Sequence, residues 1–232
     1  MALIVLWDID HTLIDNAGVS KEIYSAAFEA VAGCRPSAPA VTEGRTDRLI
    51  MGEMFDRNRL IQPTWHAVQE ALEVAGRERF ETLRQRGRVL PGVREALRAL
   101  AQKPTVISSV LTGNIEANAH VKLAAFGLDE LVDLEVGAYG ADHRDRAALV
   151  GVARDRIRTA YGVPAETPAV LVGDTPRDVE AALSSGVRII AVATGVHTTE
   201  ELRDVGAETV LPDLTDTVAL LAHFASAAKL GG

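Results

Sequence analysis

The chain carries acids where acids are expensive. Leu3-Ile4-Val5-Leu6-Trp7 is an unbroken apolar run, and it ends abruptly at Asp8-Ile9-Asp10. Such a run, bounded by polar residues, reads as a strand buried on both faces. Carboxylates left unpaired at the end of a buried strand cost several kcal/mol to desolvate. Chemistry is the simplest reason to keep Asp8 and Asp10 together. Just past the strand end the chain can turn and aim both at one point. A divalent cation would relieve their repulsion, and hard oxygen ligands suit Mg²⁺. Alternatively, one acid stays protonated as a general acid while the other, ionised, attacks as a nucleophile. The plain structural reading is that both acids form turns and caps.

Two further stretches repeat the pattern. The run from Thr105 to Leu111 leads into Thr112-Gly113-Asn114. A hydroxyl and free backbone N–H groups between a strand and a helix can bind a phosphate oxygen. Asn114 could equally serve as a plain helix cap. The run Ala169-Val170-Leu171-Val172 leads into Gly173-Asp174-Thr175-Pro176-Arg177-Asp178. Gly173 lets the backbone turn closely, and a helix starts near Asp178. Between them lies a polar loop, Gly140 to Arg146, that also leads into a helix.

The elements that must position these residues follow from periodicity. Apolar spacing predicts helices over 20–32, 46–58, a stretch from Pro63, and a fourth around Phe80 and Leu83. No strand is predicted between the first run and Thr105. Residues 16–85 therefore read as a helical insertion, and 1–15 with 86–232 as an α/β core. In the core, strands alternate with helices, with short strands expected at 131–136 and 187–193, an edge strand at 209–211, and a terminal helix over 214–230. That alternation predicts a doubly wound parallel sheet with right-handed crossovers.

Composition bounds the function. The chain has 232 residues, 47% of them hydrophobic, and a formal net charge of −8. This suits one large domain or a core with a smaller insertion. The negative charge gives no bias toward nucleic acid or anionic membranes. No apolar run is long enough to span a bilayer, and the first residues, which lack a basic segment and a cleavage site, are expected to belong to the first strand and not to a signal peptide. With Cys34 the single cysteine, an internal disulfide is ruled out and a reducing, cytoplasmic setting is expected. Oligomeric state is left open.

Asp8-Ile9-Asp10-His11-Thr12-Leu13 resembles the first motif of the haloacid dehalogenase superfamily, commonly Asp-x-Asp-Gly-Thr-Leu. Leu111-Thr112-Gly113-Asn114 matches its second motif, a strand ending in Ser or Thr. Gly173-Asp174 through Asp178 matches its fourth, Gly-Asp-x-x-x-Asp. The third motif is a basic residue, usually Lys before Pro. The loop here has no Lys, so Arg146 is assigned to that role with Arg144 as the runner-up. Glu43-Gly44-Arg45-Thr46-Asp47 resembles a turn in the caps of phosphoglycolate-phosphatase-like members. His11 stands where glycine is usual, and its role is open.

The resemblance implies a Rossmannoid α/β core with a helical cap that closes over the site, and a phosphatase acting on a small phosphorylated metabolite. It implies Asp8 as nucleophile, Asp10 as acid and base, and Thr112, Gly113, Asn114 and Arg146 around the phosphate. Arg45 would reach the leaving group. Mg²⁺ would be held by Asp8, the backbone carbonyl of Asp10, and Asp174. Asp178 would orient a metal-bound water or its neighbours. The alternatives are a β-phosphoglucomutase-like mutase, a metal-free dehalogenase (which Asp10 argues against) and a non-catalytic binding protein of the same fold.

Overall fold

A computed structural model describes residues 2–229. Its centre is β1 (Leu3–Trp7), in which every residue is buried. β1 pairs in parallel with β4 (Val106–Leu111) on one side and β6 (Ala169–Gly173) on the other. With β5 (Asp133–Ala138), β7 (Arg188–Val192) and β8 (Thr209–Leu211), the sheet runs β5-β4-β1-β6-β7-β8, all parallel. After β1 the chain builds outward through β4 to β5, then returns to build the other half through β6. β1 and its neighbours therefore flank the topological switch point, where α/β sheets open a crevice at the strand C-termini.

The uniform burial of β1 divides by parity. Leu3, Val5 and Trp7 face a core with Val93, Leu97 and Leu100 of α5 (Val93–Ala101) and Leu220 and Phe224 of α10 (Thr217–Lys229). Ile4 and Leu6 face the opposite core, with Leu149 and Val150 of α7 (Arg146–Tyr161) and Val179 and Ala182 of α8 (Pro176–Ser184). Helices on both faces make the continuous apolar run necessary. α6 (Glu116–Ala124) follows β4, and α9 (Thr199–Asp204) precedes β8.

α1 (Val19–Ala32), α2 (Asp47–Arg57), α3 (Trp65–Glu78) and α4 (Phe80–Arg86) form a separate helical layer. Its own core includes Phe28, Met51, Met54, Phe55 and Leu72, and it extends to Ile115 and Ala125 of the β4–α6 segment. Gly33 ends α1 in the left-handed conformation, its N–H donating to Glu29 O. Thr46 and Thr64 cap α2 and α3.

The expectation of no strand before Thr105 is corrected at one place. β2 (Ile14–Asp15) and β3 (Arg88–Val89) pair antiparallel where the chain leaves and re-enters the core. Two residues per strand are too few to show a period. The strand expected at 131–136 begins later, because Asp129–Leu131 form a 3₁₀ turn. The terminal helix begins at Thr217 rather than Leu214, since Asp213 accepts from the N–H and hydroxyl of Thr215 and so holds a turn. Leu230, the predicted end of that helix, lies outside the described residues. Among the described residues, no helix is long and apolar enough to cross a membrane.

Candidate active site

The ends of three adjacent strands and the starts of two helices converge. β1 delivers Asp8, β4 delivers Thr112, and β6 delivers Asp174. Arg146 is the first residue of α7, and Asp178 sits in the first turn of α8. All five are buried.

Arg146 is the hub. One guanidinium nitrogen, Nη2, lies 2.9 Å from Asp8 Oδ1 and 2.6 Å from Asp178 Oδ1. Burial opposes its charge, but Asp178 and Asp8 outweigh burial and raise its pKa above the ordinary value. Arg144 is exposed, and its carbonyl accepts from the Thr46 hydroxyl at 2.8 Å. Asp178 has its other oxygen, Oδ2, occupied by the Thr175 N–H at 3.0 Å and hydroxyl at 2.7 Å. This closes a capping box at the start of α8, with Pro176 in the first turn. Asp178 therefore anchors Arg146 instead of facing open space. Gly173 is required here, since a Cβ on it would lie 2.3 Å from the Asp178 carboxylate carbon.

Asp174 is short of compensating charge. Its Oδ1 accepts from the Thr12 hydroxyl at 3.1 Å. Burial, then the charges of Asp8 and Asp178, push its pKa well up. Asp8 is likewise raised to about 6 by burial, with Arg146 opposing and Asp178 and Asp10 adding to the rise. Oxygens of Asp8, Asp174 and Asp178 lie within 4.8 Å of one another. Three buried carboxylates around one arginine leave excess negative charge on hard oxygen donors. That donor set fits a divalent cation such as Mg²⁺.

Asp10 is engaged differently. Its Oδ1 accepts from Asn16 Nδ2 at 2.7 Å and from the Ser20 hydroxyl at 3.3 Å. Its Oδ2 accepts from Asn114 Nδ2 at 2.9 Å and from Lys122 Nζ at 2.6 Å. Burial would raise its pKa, but the Lys122 charge, with hydrogen bonds from Lys122, Asn114 and Asn16, brings it down to about 2. Asn114 Nδ2 also donates to the Thr112 hydroxyl oxygen at 2.7 Å. Asn114 thus links Asp10 to Thr112; it is not the cap of α6, whose N-cap residue is Ile115.

His11 adopts φ 60°, a left-handed conformation that glycine takes most easily. Its N–H donates to Ile14 O at 2.7 Å, and its carbonyl accepts from Thr194 Oγ1 at 2.5 Å. Its backbone thus does what the usual glycine would do, while its side chain lines the cavity. His143 is exposed, and its Nδ1 accepts from the Asp145 N–H.

The 43–47 segment packs onto the β4–α6 turn. Asp47 N–H donates to Gly113 O at 2.7 Å, and Asp47 Oδ2 accepts from Ile115 N–H at 2.7 Å. Tyr24 donates to Asp47 Oδ1 at 2.6 Å. A Cβ on Gly113 would sit 2.0 Å from Arg45 O, so glycine permits the close approach. The Arg45 guanidinium pairs with Glu53 of α2 and borders the cavity. That cavity holds about 50 Å³ and is lined on the core side by Asp8, Thr112 and Asp174 and on the helical side by Ser20, Tyr24 and Arg45.

Sequence reasoning missed Lys122, Asn16, Tyr24 and the buried Asp47 carboxylate. Lys122 did leave a signal. It falls in register with Ile115 and Ala119 on the buried stripe of α6, beside Leu123. A charge on a core-facing stripe is rarely there without a partner.

Comparison with known proteins agrees with this geometry. The family model described as haloacid dehalogenase-like hydrolase matches residues 5–183. The chain is 28% identical over 225 residues to the "Probable phosphatase IndB" of Dickeya dadantii (strain 3937), covering 94% of this chain and 93% of that one. In fold it is similar to a hydrolase from Pseudomonas syringae (21% identity, TM-score 0.64, covering 95% of this chain and 98% of the other). It is also similar to a predicted phosphatase from Clostridium acetobutylicum (16% identity, TM-score 0.66, covering 96% and 99%). With Asp8, Thr112 and Asp174 at the ends of adjacent central strands and the family model matching residues 5–183, the chain belongs to the haloacid dehalogenase-like hydrolase family.

Proposed function

We propose that the protein is a Mg²⁺-dependent phosphatase that hydrolyses a small phosphate monoester through an aspartyl-phosphate on Asp8. The observation that carries this reading is the Asp8–Arg146–Asp178 ion-pair chain beside Asp174, at the C-terminal ends of the central strands. Residues 16–85 act as a cap on a core formed by 1–15 and 86–232. The β2–β3 ribbon joins the two, and closing the cap excludes water from the reaction.

Asp8 attacks phosphorus in line with the leaving oxygen, forming the acyl phosphate. Asp10, ionised in the resting site, takes up a proton as the negative charge of the phosphate enters, passes it to the leaving oxygen, and then accepts one from the water that attacks the intermediate. Arg146, the Thr112 hydroxyl and the backbone N–H groups of the 112–114 turn stabilise charge on the phosphoryl oxygens. Asp178 contributes by holding Arg146 in place. Asp8, Asp174 and the Asp10 carbonyl would hold Mg²⁺, which when bound neutralises charge on the nucleophile and the phosphoryl group. Arg45 faces the leaving-group side.

The small cavity, with Tyr24 the one Phe, Tyr or Trp that lines it, favours a short leaving group over a nucleotide. The IndB relative's description as a probable phosphatase supports the same reaction class. Exposed Cys34, with no second cysteine, suits a cytoplasmic setting. The test is release of inorganic phosphate from a panel of monoesters, hexose phosphates included, with and without Mg²⁺, beside Asp8→Asn. Magnesium-dependent release abolished in the variant is expected. Well-folded protein that releases nothing from any ester would sink the reading, and phosphoryl transfer to a second sugar hydroxyl would assign a mutase instead.

A further inference from the structure

Lys122 is 2% exposed and lies in the second turn of α6, 112 positions from its ion-pair partner Asp10. Side chains on a helix lean toward its N-terminus. The long stem of Lys122 therefore runs back along α6 and delivers its ammonium to the end that abuts β4. There Nζ lies 2.6 Å from Asp10 Oδ2 and 2.6 Å from Asn114 Oδ1.

These two contacts determine more than charge balance. An ammonium has donors and no acceptor, so the Asn114 atom that faces it must be the amide oxygen. The NH₂ group of Asn114 is then turned toward Asp10 Oδ2 and the Thr112 hydroxyl oxygen, at 2.9 and 2.7 Å. Because Thr112 Oγ1 accepts from that amide, its own proton is left to donate into the cavity. Asp10 in turn has two donors on each oxygen: Asn16 and Ser20 on one, Asn114 and Lys122 on the other. The plane of its carboxylate is held from both ends.

We infer that Lys122 is a positioning residue of the active site: it holds the Asp10 carboxylate and, through the Asn114 amide, sets the Thr112 hydroxyl as a donor. The inference rests on the phosphatase reading for the roles of Asp10 and Thr112. It does not place Lys122 in contact with substrate. A buried ammonium is costly to desolvate and is retained when its geometry is needed. Removing it leaves Asp10 free to rotate and the Asn114 amide free to flip.

The experiment is a double-mutant cycle of Lys122→Met with Asp10→Asn, measured with an ester the wild type hydrolyses, beside a crystal structure of Lys122→Met. Wild-type turnover silenced by Asp8→Asn tests the phosphatase reading independently of Lys122. Lys122→Met is expected to lower kcat by about 10²-fold, at the lower end of what loss of an acid–base group costs, with KM within about threefold. On the Asp10→Asn background its effect should be at least tenfold smaller, because coupled residues are not additive. A smaller difference between the two backgrounds overturns the inference, as does an unchanged kcat or a loss expressed mainly in KM. The crystal structure answers without turnover: Asp10 is expected to lose its contact with Asn114, and Asp10 keeping it overturns the inference. Should Lys122→Met not fold, Lys122→Leu, which fills the slot without a donor, takes its place with the same expectations.

Discussion

Replacing Gly113 by alanine attacks the seam between the helical layer and the core while leaving the backbone N–H of the 112–114 turn in the chain. The added Cβ would lie 2.0 Å from Arg45 O and 2.9 Å from its carbonyl carbon, where ordinary contact begins at 3.4 Å. Both obstacles are backbone, so the 43–47 segment must retreat by about 1.4 Å, the shortfall between those distances. Such a retreat breaks the bond from Asp47 N–H to Gly113 O and the one from Ile115 N–H to the Asp47 carboxylate. A neutral buried hydrogen bond contributes about 1 kcal/mol net and one to a charged group about 1.5–3. The closed arrangement should therefore lose about 2.5–4 kcal/mol, and each 1.4 kcal/mol is tenfold. If closure is needed for turnover, kcat/KM for the best ester should fall by roughly 10²-fold. Amide exchange at Asp47 and Ile115 should accelerate in parallel. Gly151→Ala is the control: nothing lies within 4 Å of its added Cβ, and in a helix the change is neutral or mildly stabilising. Gly113→Ala with wild-type kcat/KM and both amides still protected would refute the seam argument.

Mg²⁺ should raise the melting temperature of the wild type, since a ligand held at 100 times its Kd stabilises by about 2.7 kcal/mol; Asp174→Asn should abolish that rise, and an equal rise in the variant would remove Asp174 from the metal site. Asp47 should make stability fall with rising pH. Burial pushes its pKa up to about 6, against the hydrogen bonds from Tyr24 and Ile115, from an ordinary 3.8. The native state therefore holds this proton more tightly than the unfolded chain. The contribution is complete below about pH 4 and lost as pH rises through about 6, on the order of 3 kcal/mol at 1.36 kcal/mol per pK unit. Denaturant unfolding of wild type and Asp47→Asn at pH 4 and pH 7 checks this: the variant should gain relative to wild type across the interval, and parallel pH–stability curves would contradict it.

Much of the fold and part of the site could be read from the chain alone, because their signals are local. An apolar run that stops at an acid or a hydroxyl is legible within a few residues: two such runs place Asp8 and Asp174 at strand ends and a third places Thr112, while only the sheet order makes those strands adjacent. Nothing local separates Arg146 from Arg144 for the basic role; the ion pairs of Arg146 with Asp8 and Asp178, against the exposure of Arg144, come from the fold. The helices of 16–85 followed from apolar spacing. The short β2–β3 ribbon did not, because a two-residue strand has no period and exists only when its partner arrives from 73 to 75 positions away. What tertiary structure alone decided is who partners whom. The spacing of α6 puts Lys122 on its apolar stripe, but its partner is set only when folding brings its ammonium to Asp10. Asp47 reads as an ordinary residue of a helix start until the 43–47 segment lies on the β4–α6 turn, where it accepts from Ile115 and Tyr24. The physical reason is the same in both. A strand or helix is specified by neighbours in sequence. The protonation and orientation of a buried charge depend on groups that only folding brings within hydrogen-bonding distance.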